Sequence, residues 1–251
     1  FTAGAYRRRA EPVLDDLRRR GKLPILTVGP GLYLRALLEG LADAPTRSEE
    51  LRTRLGERAK VRGPAYLHRL LQRLDPAAAT RIGPRDQPKL IRAIEVCLLA
   101  GRPISEVHSS GRAGLQGFHP LKVGLMPPRA ALYERIDRRA QEMLERGWPE
   151  EVKNLIARGL PANAKPFQFI GYGELRAHLA GKMSLEHAVA AIQQATRRYA
   201  KRQMTWFRKE PGVRWFDGFG DAPETSEHVL AYLEEQLAAG PHLRARPVQG
   251  V

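Results

Sequence analysis

Residues 196–208 hold five cations, Arg197, Arg198, Lys201, Arg202 and Arg208, with no acid among them and with Tyr199, Trp206 and Phe207 interleaved. A solvated surface normally mixes signs, so a purely cationic one suits phosphate at close range. Arg135 and Arg139 stand four apart behind a short apolar run, where guanidinium forks could hold a pyrophosphate. Arg139 could equally pair with Glu142, three residues on. Lys89 and Arg92, three apart, share the outer face of another predicted helix. In Pro166-Phe167-Gln168-Phe169-Ile170-Gly171-Tyr172-Gly173-Glu174 the aromatics gather around a glycine, which suits either a core loop or a stacking platform for an unstacked base. Phe169 and Ile170 read as core, and Gln168 and Tyr172, with polar tips, as candidates for RNA.

Composition narrows the chemistry. The 251 residues carry 42 Lys and Arg against 27 Asp and Glu, a formal charge of +15, which calls for a polyanionic partner. Nucleic acid ranks ahead of membrane because no apolar span of transmembrane length appears. The seven histidines show no metal-ligand spacing, and the single Cys97 can build neither a zinc cluster nor a disulfide framework. Cys97 lies in an apolar run and reads as a small core residue, in keeping with a reducing compartment. There is no G-x-S-x-G element. No secretory signal is visible, and a cytoplasmic location is expected.

The elements that must position these residues alternate between helix and strand. Residues 6–20 read as a helix with Val13, Leu14 and Leu17 inward; residues 22–28 form a short apolar strand bounded by Gly29-Pro30-Gly31; a second helix, residues 32–39, stops at Gly40. Helix, buried strand, glycine turn, helix is the rhythm of a parallel α/β sheet covered on both faces. The glycine turn is then either a tight connection or the border of a site at a strand's carboxyl end. From Ala42 to about Pro84 the sequence becomes helical throughout, with Arg54, Arg58 and Arg62 on one face and Arg69 and Arg73 on another. Asp86 should cap a helix whose inner side is Ile91, Ile94, Leu98 and Leu99, ended by Gly101. Residues 121–125 alternate like a strand, and the helix behind them, residues 130–146, turns Leu132, Ile136, Ala140, Met143 and Leu144 inward. Ser184 opens the helix that carries the basic run. Its spacing predicts a core stripe of Ala188, Ile192, Ala195, Tyr199 and Trp206, with Arg197, Lys201 and Arg208 opposite and Arg202 at the boundary. Beyond Asp217 the sequence turns acidic, and a disordered tail is expected from Gly240.

The run T-R-R-Y-A-K-R-Q-M-T-W-F-R resembles the T-R-x-x-A-K-R-Q-x-T-W motif of the tRNA dimethylallyltransferases, also called isopentenyl-tRNA transferases. Residues 22–41, 85–105 and 168–174 agree with the same family in order and roughly in spacing, so the likeness runs to about Asp217. Gly29, Gly31, Leu32, Tyr33 and Leu34 match its V-G-G-T-G-L-Y-L, with Val28 in place of the first glycine and Pro30 in place of a threonine beside the reacting adenosine. Proline supplies neither a hydroxyl nor an N–H there. In N-D-x-x-R-x-x-R-A-L-E, Arg85 replaces the asparagine and Lys89 the first arginine, which keeps the charge without the bidentate fork. Gln168, Ile170, Gly171, Tyr172 and Glu174 lie in Q-x-I-G-Y-x-E. In R-I-x-x-R, Arg139 matches the arginine that holds the substrate pyrophosphate and Arg135 its neighbour one turn earlier.

The resemblance implies an α/β fold with a P-loop-type parallel sheet core in two segments, residues 1–41 and 117–217. An all-helical tRNA-binding insertion, residues 42–116, would embrace the anticodon stem, and residues 218–251 would form a C-terminal helix and tail. The implied reaction moves a dimethylallyl group from dimethylallyl diphosphate to N6 of the adenosine just 3′ of the tRNA anticodon, with Mg²⁺ whose ligands are not identifiable in the sequence. Arg139 is the implied catalytic group and holds the pyrophosphate with Arg135. The implied tRNA contacts are Lys89, Arg92, Gln168, Tyr172, Arg197, Lys201, Arg202 and Arg208, and Gly29, Pro30 and Gly31 fall near the reacting base. A monomer is expected. The family's G-x-x-x-x-G-K-[ST] loop, and the aspartate that follows it as general base, are not found among the 251 residues. The expectation is therefore an incomplete form, inactive without an N-terminal segment. The alternative is an RNA-binding α/β module without transfer chemistry; a P-loop kinase or NTPase is disfavoured because nothing reads an adenine nucleotide.

Overall fold

Asp86 opens its helix by accepting the Lys89 amide at 3.3 Å, and Gly101 ends that helix in left-handed backbone. Local rules of this kind set most helix ends in the computed structural model, which describes residues 2–63, 65–109 and 113–239. The chain divides into two compact units, Phe1–Phe118 and His119–Val251.

In the first unit α1 (Ala3–Arg19) packs on α2 (Gly31–Leu38). The helices α3 (Glu49–Arg62), α4 (Ala65–Leu74), α5 (Pro76–Arg81), α6 (Gln87–Ala100) and α7 (Ile104–Ser109) enclose a core that includes Leu55, Leu67, Leu71, Leu90, Ile94, Cys97 and Val107. Two buried carboxylates brace these helices. Asp75 caps α5 through the Ala78 amide at 2.8 Å and accepts the Ser105 amide of α7 at the same distance. Glu95 of α6 accepts from the Ser48 amide at 2.8 Å, from Arg92 at 2.7 Å and from Arg52 at 3.4 Å. A carboxylate this buried is tolerated because its oxygens are satisfied and its charge is paired. The chain leaves α2 and later returns to it: the Leu115 amide donates to the Leu38 carbonyl at 3.1 Å. Gly40 closes that neck at φ 84°, with the Ala113 carbonyl oxygen only 2.4 Å from where a Cβ would stand, so no other residue fits.

Three expectations fail in this unit. Residues 22–28 are not a strand. They have no ladder partner among the described residues, and Leu23, Ile25 and Leu26 are 62%, 85% and 40% exposed. An apolar run becomes a parallel strand only where a neighbouring strand supplies the hydrogen bonds. Val13 is exposed while Leu14 alone is buried on α1, because one helix packed at one edge covers a narrow stripe. Leu98 and Leu99 are about half exposed, since the packed side of α6 runs through Leu90, Ile91, Ala93, Ile94, Val96 and Cys97.

In the second unit β1 (Lys122–Met126) and β2 (Val213–Asp217) pair in parallel, with Lys122 opposite Val213 and Met126 opposite Asp217. Parallel strands need a crossover. Here it runs through α8 (Arg129–Glu145), α9 (Trp148–Ala157), a 3₁₀ turn (Lys165–Gln168), α10 (Tyr172–Leu179) and α11 (Leu185–Phe207); α12 (Pro223–Ala238) follows β2. Ala140, Trp148, Val152, Phe167, Leu175 and Ile192 form the core. Near the other end of the sheet Lys122 holds the buried Glu210 carboxylate at 2.7 Å. The described residues are thus mostly helical, and their sheet is two-stranded rather than a broad one covered on both faces. Met143 is exposed, because the buried stripe of α8 narrows to Ala140. The tail expected from Gly240 lies outside the described residues.

Candidate active site

Ser184 caps α11 by accepting the His187 amide at 3.2 Å, and the helix then runs 23 residues. Its buried positions are Ala188 and Ile192. The predicted core stripe stops there: Tyr199 and Trp206 are 39% and 37% exposed. The C-terminal half leans instead on its cationic side. Arg197 donates to the Asp137 carboxylate of α8 at 2.5 Å, and Arg208 approaches the Met126 sulfur at 3.7 Å. This side helps to enclose a cavity of about 450 Å³ at the carboxyl ends of β1 and β2, where ligands bind in parallel sheets. Half-buried Met126, Pro127, Leu132, Tyr133, Ala200 and Met204 supply its apolar lining, and exposed Arg129, Lys201, Arg208 and Asp217 supply its charges. The Arg129 guanidinium donates to the Tyr133 hydroxyl at 2.9 Å and lies over that ring at 5.0 Å. An apolar lining beside three cations and one carboxylate suits a small apolar group joined to phosphate.

Of the residues singled out in the sequence, Lys201 and Arg208 line this cavity, whereas Arg135, Arg139, Arg197 and Arg202 do not. Arg135 is forked onto Asp221 at 2.8 and 2.7 Å and stacks over Phe219 at 4.6 Å. Its hydrogen bonds hold the Asp221 carboxyl below the usual carboxylate range, and Asp221 in turn raises Arg135. Arg139 is exposed, and among the described residues it makes no ion pair, with Glu142 or with any other acid. Arg202 lies over the Tyr199 ring at 5.7 Å. Gln168 donates to the Asn163 carbonyl at 3.1 Å, and the Tyr172 hydroxyl donates to Glu151 at 2.8 Å, a bond that raises the pKa of the phenol.

In the first unit Lys89 is exposed beside Asp86 at 2.5 Å, while Arg92 is turned inward onto Glu95 and the Pro45 carbonyl. Pro30 stands at the N-terminal boundary of α2 without a side-chain hydrogen bond to it, with Gly29 before it and a buried Gly31 after it. Sequence reasoning missed Arg129, Tyr133, Met204 and Asp217. Pro127-Pro128-Arg129, following a predicted strand, was the available signal for the first of these. Asp217 had none until β2 was seen to pair with β1.

A family model described as IPP transferase matches residues 1–210. The chain belongs to this family. Among its IPP transferase relatives, the tRNA dimethylallyltransferase of Koribacter versatilis (strain Ellin345) is 56% identical over 221 residues, covering 88% of this chain and 72% of that protein. The tRNA dimethylallyltransferase of Solibacter usitatus (strain Ellin6076) is 48% identical over 230 residues, covering 92% and 75%. Among solved structures, the full-length tRNA isopentenylpyrophosphate transferase of Bacillus halodurans matches with a TM-score of 0.61 at 31% identity, covering 95% of this chain and 76% of that one. A eukaryotic dimethylallyltransferase acting on tRNA matches with a TM-score of 0.77 over 98% of this chain and 64% of that one; at 24% identity that likeness concerns the fold. Among the described residues no helix is long and apolar enough to cross a membrane, and no group of three or more His, Cys, Asp or Glu could hold a metal ion.

Proposed function

We infer that this chain is a tRNA dimethylallyltransferase, moving a dimethylallyl group from its diphosphate to N6 of the adenosine 3′ of the anticodon. The observation that carries the reading is the cavity at the carboxyl ends of the parallel strands, apolar along Leu132, Tyr133 and Met204 and cationic at Arg129, Lys201 and Arg208. A dimethylallyl diphosphate has the same two characters. In the transfer the adenine nitrogen forms a bond to the dimethylallyl carbon, the carbon–oxygen bond to the diphosphate breaks, and the nitrogen loses a proton. An exocyclic amine is a poor nucleophile, so the protein's contribution is to position it and to stabilise charge growing on the departing diphosphate. Lys201 and Arg208 supply that stabilisation from the cavity. Arg139, the cation that the resemblance assigns to the pyrophosphate, is exposed and without an ion pair among the described residues, and so is available to it. Arg135 would first have to give up Asp221.

Mg²⁺ would neutralise diphosphate charge, and it commonly binds through one or two carboxylates plus substrate phosphates. Asp217, the one carboxylate lining the cavity, fits that requirement. The tRNA lies, on this reading, against Lys89, Gln168, Tyr172, Lys201, Arg202, Arg208 and the exposed arginines Arg54, Arg58, Arg69 and Arg73, with residues 42–116 embracing the anticodon stem and Gly29-Pro30-Gly31 near the reacting base. The sheet to which β1 and β2 belong would be of P-loop type, and the enzyme a cytoplasmic monomer. The test is transfer of label from dimethylallyl diphosphate to unmodified tRNA by the full-length protein. Label on the adenosine 3′ of the anticodon is expected. Anticodon stem-loop binding with no label would leave only an RNA-binding module.

A further inference from the structure

At 61%, Phe169 is the most exposed aromatic ring among the described residues, although its type and its place in an apolar run point inward. The surrounding packing imposes this exposure. Phe167 fills the core position instead, and Gly171, at φ 95°, sits so close to Trp148 that a Cβ there would lie 2.0 Å from the indole ring. The turn therefore cannot sink further. Its geometry is also fixed: the Phe169 amide donates to the Pro166 carbonyl at 3.1 Å, and the Phe169 carbonyl accepts the Tyr172 amide at 3.2 Å. The ring meets Tyr172 edge to face at 6.5 Å and 81°. Beside it Gln168, Gly173, Glu174 and Met183 line a shallow recess of about 350 Å³. The Glu174 carboxylate is committed to the Gly171 amide at 2.8 Å. The charges left open along this stretch are positive, on exposed Lys165 and Lys182, which make no ion pair among the described residues.

A rigid, outward aromatic ring with uncommitted cations in the same stretch is what a single-stranded nucleic acid needs: a face for a base and charge for its backbone. We propose that Phe169 is a stacking platform for an unpaired nucleobase of the bound RNA. The proposal rests on the tRNA reading above and adds a residue that the family motif leaves open, since Q-x-I-G-Y sets no residue type at this position. Stacking carries affinity with little sequence preference, because every base presents a π-face.

The experiment measures binding of an unmodified anticodon stem-loop RNA to the full chain and to Phe169→Ala, Phe169→Leu and Phe169→Trp across a salt series. Alanine and leucine should weaken binding roughly tenfold to a hundredfold, tryptophan should retain it, and the log–log salt slope should be the same in all four, because no phosphate contact is lost. A 2-aminopurine stepped through the loop should be quenched at one position by the parent chain and not by Phe169→Ala. Binding that is equal in the parent and in Phe169→Ala would overturn the platform while leaving the tRNA reading intact, and would point to an apolar protein contact as the use of the ring. A leucine variant that binds as well as the parent would overturn it too, as would a changed salt slope. A parent chain that binds no stem-loop would remove both readings.

Discussion

Arg135 and Arg139 stand one helical turn apart on α8, yet only Arg139 has its guanidinium free of an acid among the described residues. Arg139→Ala should lower turnover of the bound complex by roughly a hundredfold or more with tRNA affinity nearly unchanged, because a cation at a leaving group acts on developing charge. Single-turnover and binding measurements separate the two quantities; lost tRNA affinity with turnover kept would move Arg139 to the RNA. Arg135→Ala removes an exposed pair with Asp221 and should leave turnover within a few-fold. None of this difference was legible in the sequence. The i, i+4 spacing gives both arginines one face, but Asp221 lies 86 residues away and no local pattern announces it. Cys97 was legible, since a small apolar thiol in an unbroken apolar run has few places to go but the core. Phe169 was not, because its exposure depends on Trp148 and Gly171 rather than on its own type.

Helix ends are encoded within a few residues, and so Asp86, Ser184 and Gly101 act as read. Strands depend on partners that sequence does not name. Residues 122–126 and 22–28 are both short apolar runs, and the first became a strand because Val213 to Asp217 lies beside it. Contacts between helices are equally non-local, as at the corner where Asp75 joins α5 to α7. Burial pushes the Asp75 carboxyl up, but the amides of Ser105 and Ala78 outweigh it and hold the group below its ordinary range. An acid lowered in the folded state stabilises above its unfolded value, near 4, and that contribution is lost as pH falls through the folded value. Asp75→Ala should therefore cost about 1–3 kcal/mol at neutral pH, through the lost cap and an unpaired buried amide, and the difference from the parent should shrink below about pH 4. Urea unfolding at a series of pH values checks both; a difference that stayed constant down to pH 2 would mean that the carboxylate charge plays no part.

A net charge of +15 makes the whole molecule attractive to RNA at a distance, so specific contacts must be recognised by their salt dependence. Joint replacement of Lys201 and Arg208 by alanine should reduce the slope of log affinity against log salt by about two, one for each phosphate released. An unchanged slope would leave both cations to the donor diphosphate alone. The family and its reaction were legible at this scale because five motifs fall in order along the chain. The division into units after Phe118 was less so, since it depends on contacts far apart in sequence. Within the first unit the backbone comes back to itself at the neck where Leu115 meets Leu38 beside Gly40. Everything between those two points is, in engineering terms, a cassette: its ends are already held together, so its removal need not stretch or re-thread the remainder. Replacing residues 42–112 by a short glycine linker should yield a soluble protein whose second unit melts as before, and the excised cassette, with Leu55 to Val107 as a core of its own, should fold alone and give a cooperative circular-dichroism melt.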